Sequence, residues 1–143
     1  MNASLLDLPL PRPTLLTQPF WDAARAHRLI IQRCDRCGRL RFYPSAGCTH
    51  CASPDFTWID VSGRGHVYSW IVVRRSVDPA WQRRAPFVSA IIELDEQRGV
   101  LVPGLLTDIA PEQVRADLPV QVWFEQVSPE ISMPRWRPAG TEA

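Results

Sequence analysis

Cys34-Asp35-Arg36-Cys37-Gly38-Arg39-Leu40-Arg41-Phe42-Tyr43-Pro44-Ser45-Ala46-Gly47-Cys48-Thr49-His50-Cys51 is the stretch that decides the fold. It holds all 4 cysteines of the chain, set as two C-x-x-C pairs with ten residues between them. Two residues between cysteines let both sulfurs of a tight knuckle face one point, and two such knuckles supply the four thiolates of a tetrahedral zinc site. Gly38 follows the second cysteine, where a knuckle needs a residue that tolerates positive φ. The second knuckle lacks that glycine, since Ala52 and Ser53 follow Cys51. Iron takes similar ligands and remains an alternative. Disulfides need an oxidising compartment, and Met1 to Leu10 has no basic n-region and carries Asp7 and Pro9, unlike a secretory signal. A redox dithiol uses one C-x-x-C at a helix start, and His50 is not needed where four cysteines fill the site. Four thiolates leave no open position for water or substrate, so the predicted zinc at Cys34, Cys37, Cys48 and Cys51 is structural.

Working outward, 143 residues at 45% hydrophobic content provide one ordinary core, or a metal-held module plus a compact domain. No apolar run has the length of a membrane span, so a soluble, cytoplasmic protein without membrane contact is expected. The net charge of +1 gives no general attraction to nucleic acid. All 16 basic residues are arginine, which excludes Schiff-base and lysine general-base chemistry.

Pro9, Pro11 and Pro13 make residues 1–18 an extended arm, for docking or a frayed end. A helix is predicted over Pro19 to Arg28, with Thr17 as N-cap and Phe20, Trp21 and Ala24 at helical spacing. Leu29 to Ile31 leads as a strand into the first knuckle, and Phe42-Tyr43-Pro44 leads toward the second, forming the arms of a zinc ribbon. Period-two patterning then predicts strands over Phe56 to Val61, Gly65 to Arg74, Phe87 to Leu94, Gly99 to Leu106 and Val120 to Val127. Five strands in so short a span suit a small closed barrel of the OB type, with Gly63 and Gly65 at a bulge or bend. Asp95 to Gly99 reads as a hairpin turn and Asp108 to Val114 as a helical turn. Met133 to Pro138 reads as irregular chain lying back on the domain. The fold class is therefore mainly β: an N-terminal arm, helix and zinc ribbon over 1–57, then a five-stranded OB barrel with a tail over 58–143.

Candidate catalytic groups are thin. His27, His50 and His66 share no triad order or metal-ligand spacing, and His66, beside Tyr68 and Trp70, reads as a packed structural histidine. Glu93 and Asp95 read as a solvated strand end rather than a carboxylate dyad. The binding candidate is the segment between two strands that carries Arg74, Arg75, Trp81, Arg83 and Arg84. Its guanidinium groups match phosphate oxygens, as in CoA, and Trp81 offers a face for a ring or acyl chain. A solvated loop or a partner-interface rim explains the same residues. Trp123 is expected to point outward, and Trp21, Trp123 and Trp136 are candidates for partner contact or for burial under the terminal segments.

The ordered set Pro19-Phe20-Trp21, Gln32 to Gly38, Phe42-Tyr43-Pro44, Cys48 to Cys51, Gly63 to Trp70, Ile92 to Asp95, Val120 to Glu125 and Pro134 to Pro138 resembles a known family. It is the acyl-CoA-associated family with a rubredoxin-like zinc ribbon and a C-terminal OB fold, called domain of unknown function 35. The resemblance covers nearly the whole chain. Two departures stand out: no glycine after Cys51, and Asp117-Leu118-Pro119 where the family turns through a glycine. The resemblance implies a non-catalytic accessory subunit that binds a thiolase-like aldolase, lyase or acyltransferase and helps form its acyl-CoA or acyl site. Its alternative is a subunit of a MaoC-type enoyl-CoA hydratase complex. A third reading, a single-stranded nucleic-acid-binding OB protein, is the least supported by the charge.

Overall fold

The computed structural model describes residues 8–140, so the first seven residues of the expected arm and the last three of the tail lie outside the described residues. Helix α1 (Gln18–Arg25) starts at Pro19 in its first turn and buries Phe20, Trp21, Ala23 and Ala24. Thr17 does not cap it by side chain. Its hydroxyl instead accepts from the Thr14 amide at 2.9 Å. The helix also ends earlier than the sequence pattern indicates. His27 adopts φ 59, and the amides of His27 and Arg28 donate to the carbonyls of Ala24 and Ala23. That is a Schellman stop with histidine in the usual glycine position.

Strands β1 (Ile30–Cys34), β2 (Leu40–Arg41) and β3 (Phe56–Asp60) form a three-stranded antiparallel sheet in the order β2-β1-β3. Strands β4 (Arg64–Val73), β5 (Phe87–Leu94), β6 (Leu101–Leu106), β7 (Pro119–Gln126) and β8 (Ser132–Pro138) close a barrel in the order β4-β5-β6-β8-β7. A short helix α2 (Pro79–Gln82) lies between β4 and β5, and a 3-10 turn over Pro111–Gln113 precedes β7. The barrel is five-stranded as expected, but its membership differs from the sequence reading. Phe56–Asp60 pairs with β1 in the ribbon sheet, and Met133 to Pro138, read as irregular, belongs to the fifth strand of the barrel.

The two prolines that hid β8 are accommodated by register. Residues 134, 136 and 138 share one direction along a period-two strand. The Trp136 carbonyl accepts from the Thr107 amide at 2.7 Å, so this set turns its polar backbone toward β6. There the pairing is confined to Leu106 and Trp136. The missing proline N–H groups therefore fall outside the long β7–β8 ladder, whose register runs from Val120↔Pro138 to Gln126↔Ser132.

Glycine is required where the sequence placed a bend. Gly63 has φ 74, and a Cβ there would lie 2.4 Å from Val122 Cγ1. The bulge itself falls farther along β4, between Val67 and Ser69, and leaves Tyr68 unpaired. Inside the barrel, Val67, Val88, Ala90, Ile92, Val102, Val120 and Trp136 form a core that also takes in Phe20, Leu29 and Ile31 from the ribbon half. Trp21 and Trp136 are thus core residues at 6% and 0% exposure, not partner contacts.

Trp136→Ala should lose about 3–5 kcal/mol, a large part of the usual margin of about 5–15 kcal/mol. Chemical denaturation would show it, and an unchanged midpoint would mean that Trp136 is not central.

Candidate metal centre and ligand surfaces

β1 ends in the buried Cys34 and delivers it to the first knuckle. The Gly38 amide donates to the Cys34 carbonyl at 2.9 Å, and the Ala52 amide donates to the Cys48 carbonyl at 2.8 Å, so both knuckles close in the same way. Gly38 takes φ 76, and Ala52 takes φ 64 in the equivalent position without being glycine. The four Sγ atoms lie within 4.8 Å of one another, with Cys34 to Cys51 at 3.5 Å and Cys37 to Cys48 at 3.6 Å. A tetrahedron with Zn–S bonds of about 2.3 Å has edges of about 3.8 Å, so the donor set fits zinc.

The backbone prepares the thiolates. The Cys37 amide leads in holding Cys34 below the ordinary thiol value, and the Cys51 and His50 amides bring Cys48 down to about 6. The Arg39 amide also pulls on Cys37, but desolvation and the crowded sulfurs push that thiol up to about 11. Four thiolates this close need a cation before all can ionise. Since Cys48 is lowered, its contribution to a folded ribbon is present at high pH and is lost as pH falls through about 6.

Around the site, buried Gln32 fastens the loop between the knuckles. It accepts from the Ser45 amide at 2.8 Å and from Arg41 Nε at 3.0 Å, and it donates to the Ser45 carbonyl at 3.0 Å. On the other side, the Gln97 side chain accepts from the Leu40 amide at 2.9 Å and donates to the Leu40 carbonyl at 3.0 Å. Gln97 thus serves as a strand partner for β2 and ties the ribbon to the β5–β6 turn.

The arginine segment is less concentrated in space than in sequence. Arg74 pairs with Glu112 at 3.5 Å with both side chains well exposed, an arrangement of little stabilising value. Arg75 and Arg83 are exposed and Arg84 is half-buried. Trp81 sits in α2 and packs on Phe87 with ring centroids 5.2 Å apart, and it helps enclose a small cavity with Leu8 to Pro11 of the arm. His66 Nε2 lies 3.0 Å from Glu93 Oε1, and the other Glu93 oxygen accepts from the Gly99 amide. His66 is therefore held as a structural histidine. Glu93 is its partner rather than a free strand end.

A cavity of about 460 Å³ lies where the α1–β1 turn meets β7 and β8. Its wall includes His27, Trp123, Phe124 and Arg137, none of which the sequence joins by spacing. Trp123 does face away from the barrel core, as its alternation predicts, and its Nε1 donates to Thr107 Oγ1 at 2.9 Å.

A knuckle ribbon feeding a five-stranded Greek-key barrel defines the class as a zinc-ribbon and OB-fold protein. Family models described as the ChsH2 rubredoxin-like zinc ribbon domain and the ChsH2 C-terminal OB-fold domain match residues 21–57 and 58–125. A DUF35 domain-containing scaffold protein of Methanocaldococcus jannaschii is 37% identical over 101 residues, 69% of each chain. The chain belongs to this DUF35 family. A probable enoyl-CoA hydratase alpha subunit of Thermomonospora curvata is 38% identical over 131 residues, 90% of this chain and 40% of that protein, so the chain spans about two fifths of that relative's length. Among solved structures, a chain of the Ltp2-ChsH2(DUF35) aldolase superposes with TM-score 0.80 and 35% identity, covering 91% of this chain and 99% of the other.

Metal analysis of the purified chain should return one zinc per chain. Cys34→Ser should lose that zinc and open the ribbon sheet while the barrel strands persist at reduced stability. Mass spectrometry for metal, with hydrogen exchange for the two halves, checks both, and full zinc retention would remove the metal assignment. Ala52→Gly should strengthen the second knuckle, because an L-residue in the left-handed region costs about 1–2 kcal/mol and the added chain entropy returns about 0.4–1 kcal/mol of that. Slower zinc transfer to a chelator is the expected readout.

Proposed function

We propose that this chain is a non-catalytic accessory subunit that docks on a thiolase-like enzyme, an aldolase, lyase or acyltransferase, and helps form its acyl-CoA or acyl site. The observation that carries the reading is the near-complete superposition on a chain of the Ltp2-ChsH2(DUF35) aldolase. The chain's own chemistry supports it. Its four cysteines converge on one metal position, and His66 is held by Glu93. A subunit of this kind needs a face for its partner, and β4 and β5 expose Tyr68, Ile71 and Ile91 on the outside of the barrel. In the β4–β5 register Ser69 stands opposite Ile91 and Ile71 opposite Ser89, so the two isoleucines are diagonal neighbours on one face. Exposed apolar groups in such a cluster mark contact surfaces more often than isolated ones do. Arg74, Arg75, Trp81, Arg83 and Arg84 are the residues proposed to meet CoA phosphates or the partner's rim.

A second reading is a subunit of a MaoC-type hydratase complex, favoured by the 38% identity to the hydratase alpha subunit over 90% of this chain. Mild affinity capture of the tagged chain from its native cells, with mass spectrometry of what stays bound, separates the readings. A thiolase-fold protein should co-purify, and the complex should cleave or form a carbon–carbon bond on an acyl-CoA. A hydratase-fold protein with enoyl-CoA hydration would select the second reading. Recovery of the chain alone, with salt-sensitive oligonucleotide binding, would overturn both.

A further inference from the structure

We propose that the cavity between the α1–β1 turn and the β7–β8 pair binds an organic anion. Its carboxylate or phosphate meets Arg137, and its flat or apolar body lies against Trp123 and the His27–Phe124 pair. Two arginines on β8 make the case by contrast. Arg135 and Arg137 are two residues apart and so project to the same side of the strand. Arg135 is buried and matched, with its Nε donating to Glu125 Oε2 at 3.0 Å. Arg137 stands opposite Gln121 in register, and among the described residues its side chain has neither a hydrogen bond nor an ion pair. Its Nε is shut off from water with no acceptor, and its Cζ lies 5.9 Å from the centroid of the Trp123 ring. An ordinary surface arginine satisfies its donors with water. This one is stacked, partly desolvated and short of an acceptor, which suits the planar fork to an oxyanion.

The charges facing the cavity leave that cation unbalanced. The turn contributes His27 and Arg28, the end of β3 contributes Asp60, and β8 contributes Arg137. Asp60 is the one carboxylate among them, and it lies 3.6 Å from Arg28 Nε. The rest of the wall adds the polar Ser62 and Gln121 to the apolar or flat Leu29, Val122, Trp123 and Phe124. The His27 ring is stacked on Phe124 with centroids 5.7 Å apart and planes at 11°, and Trp123 is fixed by its bond to Thr107. His27 holds this ring from a left-handed backbone position, φ 59, where a helix stop ordinarily carries glycine. At about 460 Å³ the space has the size of a small-molecule site.

The test uses the zinc-loaded full chain, labelled with ¹⁵N and titrated with 1-naphthoate, 1-naphthyl phosphate and the neutral 1-naphthylmethanol. One or both anions should shift the Arg137 Nε–H and Trp123 Nε1–H resonances saturably. The neutral probe should bind about tenfold or more weakly, and Arg137→Gln should lose a similar factor for the anions. The tighter anion identifies the head group as carboxylate or phosphate. The proposal is overturned if the neutral probe binds as tightly as the anions, or if Arg137→Gln leaves anion binding unchanged. It is also overturned if neither anion moves the two resonances at concentrations up to about 10 mM.

Discussion

Four thiolates drawn to one point are the constraint on which the rest of the structure depends. The ribbon sheet has only a two-residue β2, too little ladder to hold itself together. Metal closure of the two knuckles supplies what the sheet lacks, because for a site absent from the unfolded chain, binding free energy is folding free energy. Backbone amides aimed at Cys34 and Cys48 favour their thiolates in advance, while Cys37 resists ionisation until a cation shares the charge.

The ribbon is also more than a neighbour of the barrel. Leu29 and Ile31 enter the same core as Val67 and Trp136, and Phe20 of α1 packs within ring contact of Phe42 in the ribbon loop. The Gln97 side chain pairs with the β2 edge, and the Ser62 amide donates to Glu96 Oε2 at 2.6 Å. Both latches come from the β5–β6 turn, so one hairpin tip holds the β2 edge of the ribbon and the link that joins β3 to β4. Order imposed by the metal therefore passes into the barrel through packed side chains and a paired edge. The cavity beside His27 lies along this seam and inherits its fixed geometry.

The sequence made the local chemistry legible where one residue type has one use. The cysteine spacing led to the metal centre, and the alternation of Val88, Ala90, Ile92 and Leu94 led to β5. It misled where a rule about one residue was decided by its neighbours. Pro134 and Pro138 argued against a strand, yet their missing donors fall away from the β7 ladder. Phe56–Asp60 has good strand character, but its pairing with β1 is long-range and has no signature within the segment. Trp81 packs on Phe87, a contact that the segment's composition does not reveal. The His27–Phe124 contact joins residues far apart in the chain, and no spacing rule reaches that far.

The two places where the resemblance leads one to expect glycine and this chain has another residue are the most informative. Ala52 and Asp117 take φ 64 and φ 63, so the backbone keeps the left-handed turn and the side chain bears the strain. Asp117 is the milder case, since a short polar side chain is tolerated there, and its carboxylate lies 4.0 Å from His66 Nε2. Ala52 has no such compensation from its methyl group, and the second knuckle is held by its backbone hydrogen bonds from Ala52 to Cys48 and from Cys48 to Ser53, together with the convergence of Cys48 and Cys51 on the same point as Cys34 and Cys37. Loss of the glycine is thus tolerable because hydrogen bonds and the convergence of the four cysteines, not the local backbone preference, fix the turn. By the same logic His27 sits in a glycine position and is held by a ring contact instead. In each case a local conformational penalty is overruled by a tertiary interaction, which marks that interaction as one the fold relies on.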